Sequence, residues 1–494
     1  MILNWILSLA SAVLLVLLYP RFNYVWLAPI ALTPLLIACV RERRWKWRLA
    51  FGYAAGFVYW FGLCNWIEWT LAHHAGVSDF VAWLLFILFC LYKAVQMAVF
   101  AALAGPLLRT PIAVPAVAAL WVALERTHSW TGFQWLNLGN TGSDMSVPLR
   151  LAPITGVWGI SFVFAMLSAA IALIVTRRFF RAGPPFQTAW LLLLPLVVLL
   201  PEPPRFERGN AAAIVVQPNL DDETQWTPDL LRRTEDRMIT LSLSPLLSRG
   251  NPVEIVVWPE APAPFYADEP DFLAVASSIA RNAHAAFLAG VVGRTPSDEP
   301  LNSALLVGPD GAVTSRYDKV NLVPFGEFVP WPFGLVVDKV SKEAGDFVPG
   351  RNVVVSRLDG HRIGAFICYE SVFPSYIRRF TQSGAEVLFN LSNDGWFGKS
   401  QARYQHLQIV RMRAAENARW IVRATNDGIT AVIDPAGRLL RTFEEYREVA
   451  GRLQFRYRDG LTFYVRFGDW FVILCALIAA AGLCLSAVPR FHRE

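Results

Sequence analysis

The sequence predicts a polytopic α-helical membrane region joined to a sheet-rich α/β domain. Three observations carry that prediction. Apolar residues make up 54% of the 494 residues, charged residues only 17%, and the mean hydropathy is positive. The apolar excess is uneven: nearly all the long apolar runs lie in residues 1 to about 201 and in a final stretch near 469–488. Each run is close to the ~20 residues that cross a bilayer. Between them lies a polar region of roughly 260 residues, large enough for a core of its own.

Seven spans are expected before the polar region, at about 2–19, 23–40, 49–68, 80–106, 112–126, 155–176 and 186–201, and an eighth at about 469–488. The first lacks a basic leader and a small-residue cleavage site, so it reads as retained. No span is read as carrying a strong packing motif. Basic residues then set the orientation. Arg41, Arg43, Arg44, Lys46 and Arg48 follow span two; Arg109 follows span four; Arg177, Arg178 and Arg181 follow span six; Arg490 and Arg493 end the chain. All fall on one face if the N-terminus is cytoplasmic, and positive loops stay inside. Seven crossings put the polar domain on the other side, which in a bacterium is the periplasm. The expected domains are therefore 1–203, a seven-span region; 204–466, a periplasmic catalytic domain; and 467–494, a last span with a cytoplasmic tail. The net charge of +6 is largely this topology signal. No basic stripe with interleaved aromatics appears in the polar domain, so no nucleic-acid partner is expected.

Strand and helix signals alternate through the polar domain. Strands are expected at 211–216, 253–258, 285–292, 304–307, 313–317, 361–367, 386–391, 420–424, 429–433 and 439–443. Turns at Pro309-Asp310-Gly311 and Asp434-Pro435-Ala436-Gly437 make hairpins,. Helices are expected at 229–247, 271–284, 371–382 and 402–419, the last with Arg411, Arg413 and Glu416 on its polar side. Strands in this number interleaved with helices predict helices covering the outer faces of a sheet structure.

Chemistry concentrates at strand ends. Cys39, Cys64, Cys90, Cys475 and Cys484 lie in apolar spans, where cysteine is a small hydrophobe,. Cys368 alone falls in the polar domain, where the strand of Arg362-Ile363-Gly364-Ala365-Phe366-Ile367 meets a helix signal. A thiol there has a backbone N–H just behind it, the beginning of an oxyanion hole. Glu260 follows Val257-Trp258-Pro259, and Lys319 opens Lys319-Val320-Asn321-Leu322-Val323-Pro324-Phe325-Gly326-Glu327. A free thiol is only slightly ionised near neutral pH, so it needs a base or a cation beside it. Glu260 can take the proton; Lys319 can favour the thiolate and later steady an oxyanion, together with the Tyr369 N–H. Carboxylate, ammonium and thiol at three strand ends suggest covalent acyl chemistry. Histidines do not pair with cysteine or acidic residues at ligand spacing, and phosphate-binding and dinucleotide motifs are missing, so neither metal nor cofactor is expected.

The segments Val257 to Glu260, Tyr317 to Pro330 and Ile367 to Pro374 resemble the three signature segments of the nitrilase superfamily. The eight-span frame and the run Leu322 to Pro330 are further similar to the apolipoprotein N-acyltransferases of bacterial inner membranes. The resemblance implies a nitrilase-like αββα sandwich with Glu260 as general base, Lys319 as transition-state stabiliser and Cys368 as nucleophile. It also implies supporting roles for Glu327, Tyr369 and Glu370, and for Trp226 on a mobile loop over the cleft. The reaction implied moves a fatty acyl chain from a phospholipid, through a Cys368 thioester, to the α-amino group of a diacylglyceryl-modified apolipoprotein. The stretch Leu322 to Leu335, with Phe325, Phe328, Trp331 and Phe333, reads as a lid dipping into the membrane interface. The alternative is a membrane-tethered amidase using the same three groups with water as acceptor. A soluble amide would not need seven spans in front, which argues against it.

Overall fold

The computed structural model describes residues 1–74, 77–130, 132–177, 190–192, 194–221, 224–248, 250–328 and 347–487. Arg178, Arg181, Trp331, Phe333, Arg490, Arg493 and part of the expected seventh span lie outside the described residues. The chain divides into two compact units: Met1–Glu68 with Asp79–Pro203 and Phe467–Glu494, and Pro204–Arg466 with Trp69–Ser78.

The first unit is helical. Helices at Asp79–Leu107, Val157–Val175 and Trp470–Ala487 are long and apolar enough to cross a membrane. Ile2–Leu17 and Ala113–Arg126 are shorter, and Trp45–Leu63 begins with charged residues. The expected second span is broken into a 3₁₀ turn, Val25–Ile30, and a helix, Thr33–Arg41. Pro29 sits inside that turn, and a proline has no N–H to give an α-helical ladder,. The expectation that no span carries a packing motif is corrected. Gly52 and Gly56, four residues apart on the helix Trp45–Leu63, lie against the helix Asp79–Leu107. A Cβ on Gly52 would meet the Met97 carbonyl oxygen at 2.4 Å. Small residues at this spacing let two backbones approach closely in lipid.

The second unit holds two six-stranded sheets. The strands are β1 (Ala211–Gln217), β2 (Val253–Val257), β3 (Ala286–Arg294), β4 (Pro300–Val307), β5 (Val313–Asp318), β6 (Val355–Leu358), β7 (His361–Ile367), β8 (Val387–Ser392), β9 (Ile421–Thr425), β10 (Ala431–Ile433), β11 (Leu439–Thr442) and β12 (Val449–Phe455). One sheet runs β12-β1-β2-β3-β4-β5 and the other β11-β10-β9-β8-β7-β6. The centres are parallel (β1-β2-β3 and β7-β8-β9) and the edges antiparallel. Parallel centres need both faces covered, and these strands are buried along most of their length without alternation,. Helices Pro228–Leu243 and Pro270–Ala283 cover the first sheet; Pro374–Gln382 and Ala402–Asn417 pack on the side of the second. The sheets meet through β1 against β9 and β4 against β7. This is the nitrilase-like αββα sandwich.

Under the first pair of helices lies a core of Ile214, Val216, Val256, Trp258, Phe265, Phe272 and Phe287. Trp258 is fully buried and donates its indole N–H to Ser242 Oγ (2.8 Å). A buried indole N–H needs such a partner. Two expectations need correction. The helix expected from Ser371 starts as a 3₁₀ turn, Cys368–Val372, and becomes α-helical only at Pro374. The "polar side" of the helix Ala402–Asn417 does not face solvent: Arg413 and Glu416 are buried, and Arg413 Nη2 donates to Glu416 Oε1 (2.9 Å). Strands β6 and β12 were not anticipated, because Val449–Phe455 is broken by Gly451, Arg452 and Gln454 and becomes a strand only through its pairing with β1.

Candidate active site

β2 delivers the first group. The strand ends at Val257, and the chain turns through Pro259 and Glu260, with Ala261 at φ +29°. Gly290 on β3 makes the turn possible: its N–H donates to the Pro259 carbonyl (3.1 Å), and a Cβ there would lie 2.6 Å from the Glu260 Cα. Glu260 is 6% exposed. Its Oε1 accepts from Lys319 Nζ (3.0 Å) and from Asn302 Nδ2 (2.8 Å). Its Oε2 accepts from the Asn393 N–H, just beyond β8, at 2.8 Å. Glu260 thus joins groups carried by both sheets.

β5 delivers the second group. Lys319 follows its last residue, is 1% exposed, and is anchored by donating its backbone N–H to the Asn302 carbonyl (2.8 Å). Its Nζ lies 2.9 Å from Glu327 Oε1 as well as 3.0 Å from Glu260 Oε1. Burial works against the ammonium charge, but Glu260 and then Glu327 hold it above the usual lysine range,. Glu327 is fixed by a tight turn: its N–H donates to the Val323 carbonyl (2.9 Å), and its Oε2 accepts from the Val323 N–H (2.8 Å). Asn302 Nδ2 reaches this carboxylate too, at 2.6 Å. One ammonium therefore serves two carboxyl groups.

β7 delivers the third group. Cys368 follows Ile367 and opens the 3₁₀ turn with φ +48°, the left-handed region that a residue with a Cβ enters at a cost of about 1–2 kcal/mol,. It is 6% exposed. Burial first, and Glu260 second, push its thiol well above the usual cysteine range, while Lys319 pulls the other way. At rest the sulfur is therefore a thiol rather than a thiolate, and an attack by it needs a base.

Glu370 knits these segments together. Its Oε2 accepts from the Ile367 N–H (2.9 Å); its Oε1 accepts from the Tyr317 hydroxyl (2.6 Å) and from the N–H groups of Val320 (2.8 Å) and Asn321 (3.2 Å). Burial raises its carboxyl above the usual range even so. Tyr369 is buried, its ring edge-on to Phe373 at 5.4 Å. Trp226 is half-buried just before the helix Pro228–Leu243 and packs against the core around Trp258. Of the expected lid, Phe325 and Phe328 belong to the tight turn that carries Glu327, where the Phe325 N–H donates to the Phe328 carbonyl (2.8 Å).

Sequence reasoning missed Asn302 and Asn393. The signal for Asn302 was an amide inside an apolar strand, Pro300-Leu301-Asn302-Ser303-Ala304-Leu305-Leu306-Val307. For Asn393 there was none, because it is the backbone N–H that reaches Glu260.

Comparison with known proteins agrees with this architecture. The sequence model of the family "Carbon-nitrogen hydrolase" matches residues 215–450, and that of the "Apolipoprotein N-acyltransferase N-terminal domain" matches residues 11–170. The chain is 33% identical to the apolipoprotein N-acyltransferase of Geobacter metallireducens, over 99% of this chain and 96% of that protein. It is 34% identical to that of Pseudomonas aeruginosa, over 94% and 92%. To that of Vibrio vulnificus it is 30% identical, over 90% of each. With both units matched and the likeness running through nearly the whole chain, this protein belongs to the apolipoprotein N-acyltransferase family.

Proposed function

We propose that the protein transfers a fatty acyl chain from a phospholipid to the N-terminal amine of a diacylglyceryl-modified apolipoprotein, by way of a Cys368 thioester. The observation that carries this reading is Lys319 Nζ held between Glu260 and Glu327 at 3.0 and 2.9 Å, beside a buried thiol in a left-handed turn. Such a cluster has a negative charge to accept a proton and a fixed cation to face a developing oxyanion.

In the first half-reaction Glu260 takes the Cys368 proton as the sulfur attacks the ester carbonyl. Lys319 and the Tyr369 N–H steady the tetrahedral oxyanion. The carbon–oxygen bond to glycerol breaks, the leaving alkoxide takes the proton from Glu260, and a lysophospholipid departs. In the second half the lipoprotein α-amine attacks the thioester and gives up a proton to Glu260. The carbon–sulfur bond breaks, an amide forms, and the proton returns to the sulfur. This is a ping-pong sequence. Glu327 takes up part of the Lys319 charge and sets its position; Glu370 holds the Lys319 and Cys368 segments in register. Apolar helices precede and follow the catalytic domain in the chain, which suits two substrates held in a membrane by their own acyl chains. The charge pattern of the loops supports a reading with that domain on the periplasmic side of a bacterial inner membrane.

Mass spectrometry of the purified protein after exposure to phospholipid tests the reading. An acyl adduct on Cys368 is expected in the wild type, and none in Glu260→Gln. A normal yield of adduct in Glu260→Gln would remove Glu260 from its role. Release of free fatty acid alone, with a lipopeptide acceptor present, would point to the amidase-like hydrolase instead.

A further inference from the structure

Against the Cys368 carbonyl lies a second buried polar cluster that the mechanism above does not use. His406, on the helix Ala402–Asn417, is fully buried. Its Nδ1 lies 3.1 Å from Asp394 Oδ1 and 3.2 Å from Arg423 Nη2. Its Nε2 lies 3.1 Å from the Cys368 carbonyl oxygen and 2.8 Å from Ser371 Oγ. Phe397 stands edge-on to the ring at 5.7 Å.

The surroundings decide the ring's protonation. Burial, and then the Arg423 guanidinium, push His406 below its usual range, although Asp394 and the Cys368 carbonyl pull the other way. The ring is therefore neutral and carries one N–H. Arg423 Nη2 bridges the two groups on the Nδ1 side, donating to both Asp394 oxygens at 2.7 Å while lying within reach of Nδ1. A carbonyl oxygen only accepts, so the Nε2 contact with Cys368 puts the proton on Nε2,. The opposite tautomer would donate Nδ1–H to Asp394 Oδ1 at 3.1 Å, but it would set a ring lone pair against the Cys368 carbonyl at 3.1 Å, which can only accept,. Ser371 can turn its hydroxyl to accept, so it tolerates the Nε2–H form.

We propose that His406 is a positioning residue for the nucleophile: it donates Nε2–H to the Cys368 carbonyl and so holds Cys368 in the left-handed turn that presents its thiol. A residue at φ +48° persists only where its surroundings over-determine it,. The Glu370 carboxylate fixes the N–H of Ile367, immediately before Cys368, and His406 fixes the carbonyl of Cys368 itself. The strained peptide is thus pinned on both sides. Arg423 lies 3.2 Å from Nδ1 and is itself paired with Asp394, whose Oδ1 also accepts from Ser392 Oγ at 3.0 Å.

The inference rests on Cys368 being the nucleophile, and its test separates the two. Glutamine places an amide N–H where Nε2–H stands, whereas asparagine reaches only the Nδ1 position. In the full-length detergent-solubilised protein, the rate of Cys368 alkylation by iodoacetamide, the melting temperature, and kcat and KM with phospholipid and lipopeptide are compared for wild type, His406→Gln and His406→Asn. His406→Gln should stay within about threefold of wild type in alkylation and kcat. His406→Asn should lose about tenfold or more in both, at unchanged KM and at the melting temperature of His406→Gln. Equal losses in the two variants, or better activity in His406→Asn, would overturn the proposal. Should neither variant fold, nitrogen NMR of histidine-labelled wild type decides: a neutral ring protonated at Nε2 is expected for His406, and one protonated at Nδ1 overturns it. A wild type that alkylates in this pattern yet transfers no acyl chain would defeat the proposed function and leave the positioning role standing.

Discussion

Two buried ionic clusters lie near the Cys368 segment, and they differ in charge balance. In the first, Lys319 faces Glu260 and Glu327, two carboxylates for one cation. In the second, Arg423 faces Asp394 with both of its 2.7 Å contacts, one cation for one carboxylate, with His406 neutral beside them. Burial of an ion pair is close to break-even at best, so neither cluster is there to stabilise the fold outright. In the proposed mechanism the unbalanced one has a charge left over with which to move a proton. The balanced one has none, and its chemistry is spent on holding neighbours in place.

Lys319→Met should break the contrast most severely, since it leaves Glu260 and Glu327 facing each other without a cation. Acyl transfer in a single-turnover assay should fall about 10³-fold or more, with a lower melting temperature. Arg423→Met strips the balanced cluster of its cation and should cost about 3–5 kcal/mol in unfolding experiments, because Asp394 stays buried and unpaired. Adding Asp394→Asn should return part of that loss, the sign of a coupled pair.

The pH dependence sharpens the same comparison. Burial opposes the Asp394 charge, but the Arg423 guanidinium holds its carboxyl far below the usual carboxylate range. Its folded value is thus depressed below the ~3.9 of an unfolded aspartate. Its contribution is complete above about pH 4 and is lost as pH falls further. Asp394→Asn should therefore melt lower than wild type at neutral pH yet lose less on acidification below pH 4, as read by thermal unfolding at several pH values. The smallest effect is expected from Gly290→Ala. Its Cβ would press on the Pro259 carbonyl oxygen at 2.3 Å and displace the Glu260 turn. A loss of about 1–3 kcal/mol is expected in unfolding, with acyl transfer reduced more than the melting temperature alone would suggest.

Much of this was legible in the chain. β7 was expected at 361–367 and lies at His361–Ile367, because an apolar run ending at a thiol and followed by turn residues has few other solutions,. The hairpin at Asp434-Pro435-Ala436-Gly437 joins β10 to β11, with Gly437 at φ +71° and Asp434 Oδ1 accepting from the N–H groups of Ala436 and Arg438, both at 2.9 Å. Arg413 and Glu416 misled, since a charged pair three residues apart reads as a solvated face until the neighbouring elements bury it. Asn302 stood out as an amide in an apolar strand, but its role was not readable, because its two acceptors sit on other elements, 42 and 25 residues away.

The sequence by itself determined which stretches are apolar enough for lipid, the alternation of strands and helices between them, and the residue types at three strand ends. Those are properties of local composition and periodicity, written within a dozen residues of where they act. Only the tertiary structure decided that one lysine answers two glutamates, that a backbone N–H beyond β8 reaches Glu260, and that a histidine 38 residues downstream meets the Cys368 carbonyl. The physical reason is distance. Charge pairing and hydrogen bonding act over about 3 Å, and which groups come that close depends on how the sheets stack rather than on their order in the chain.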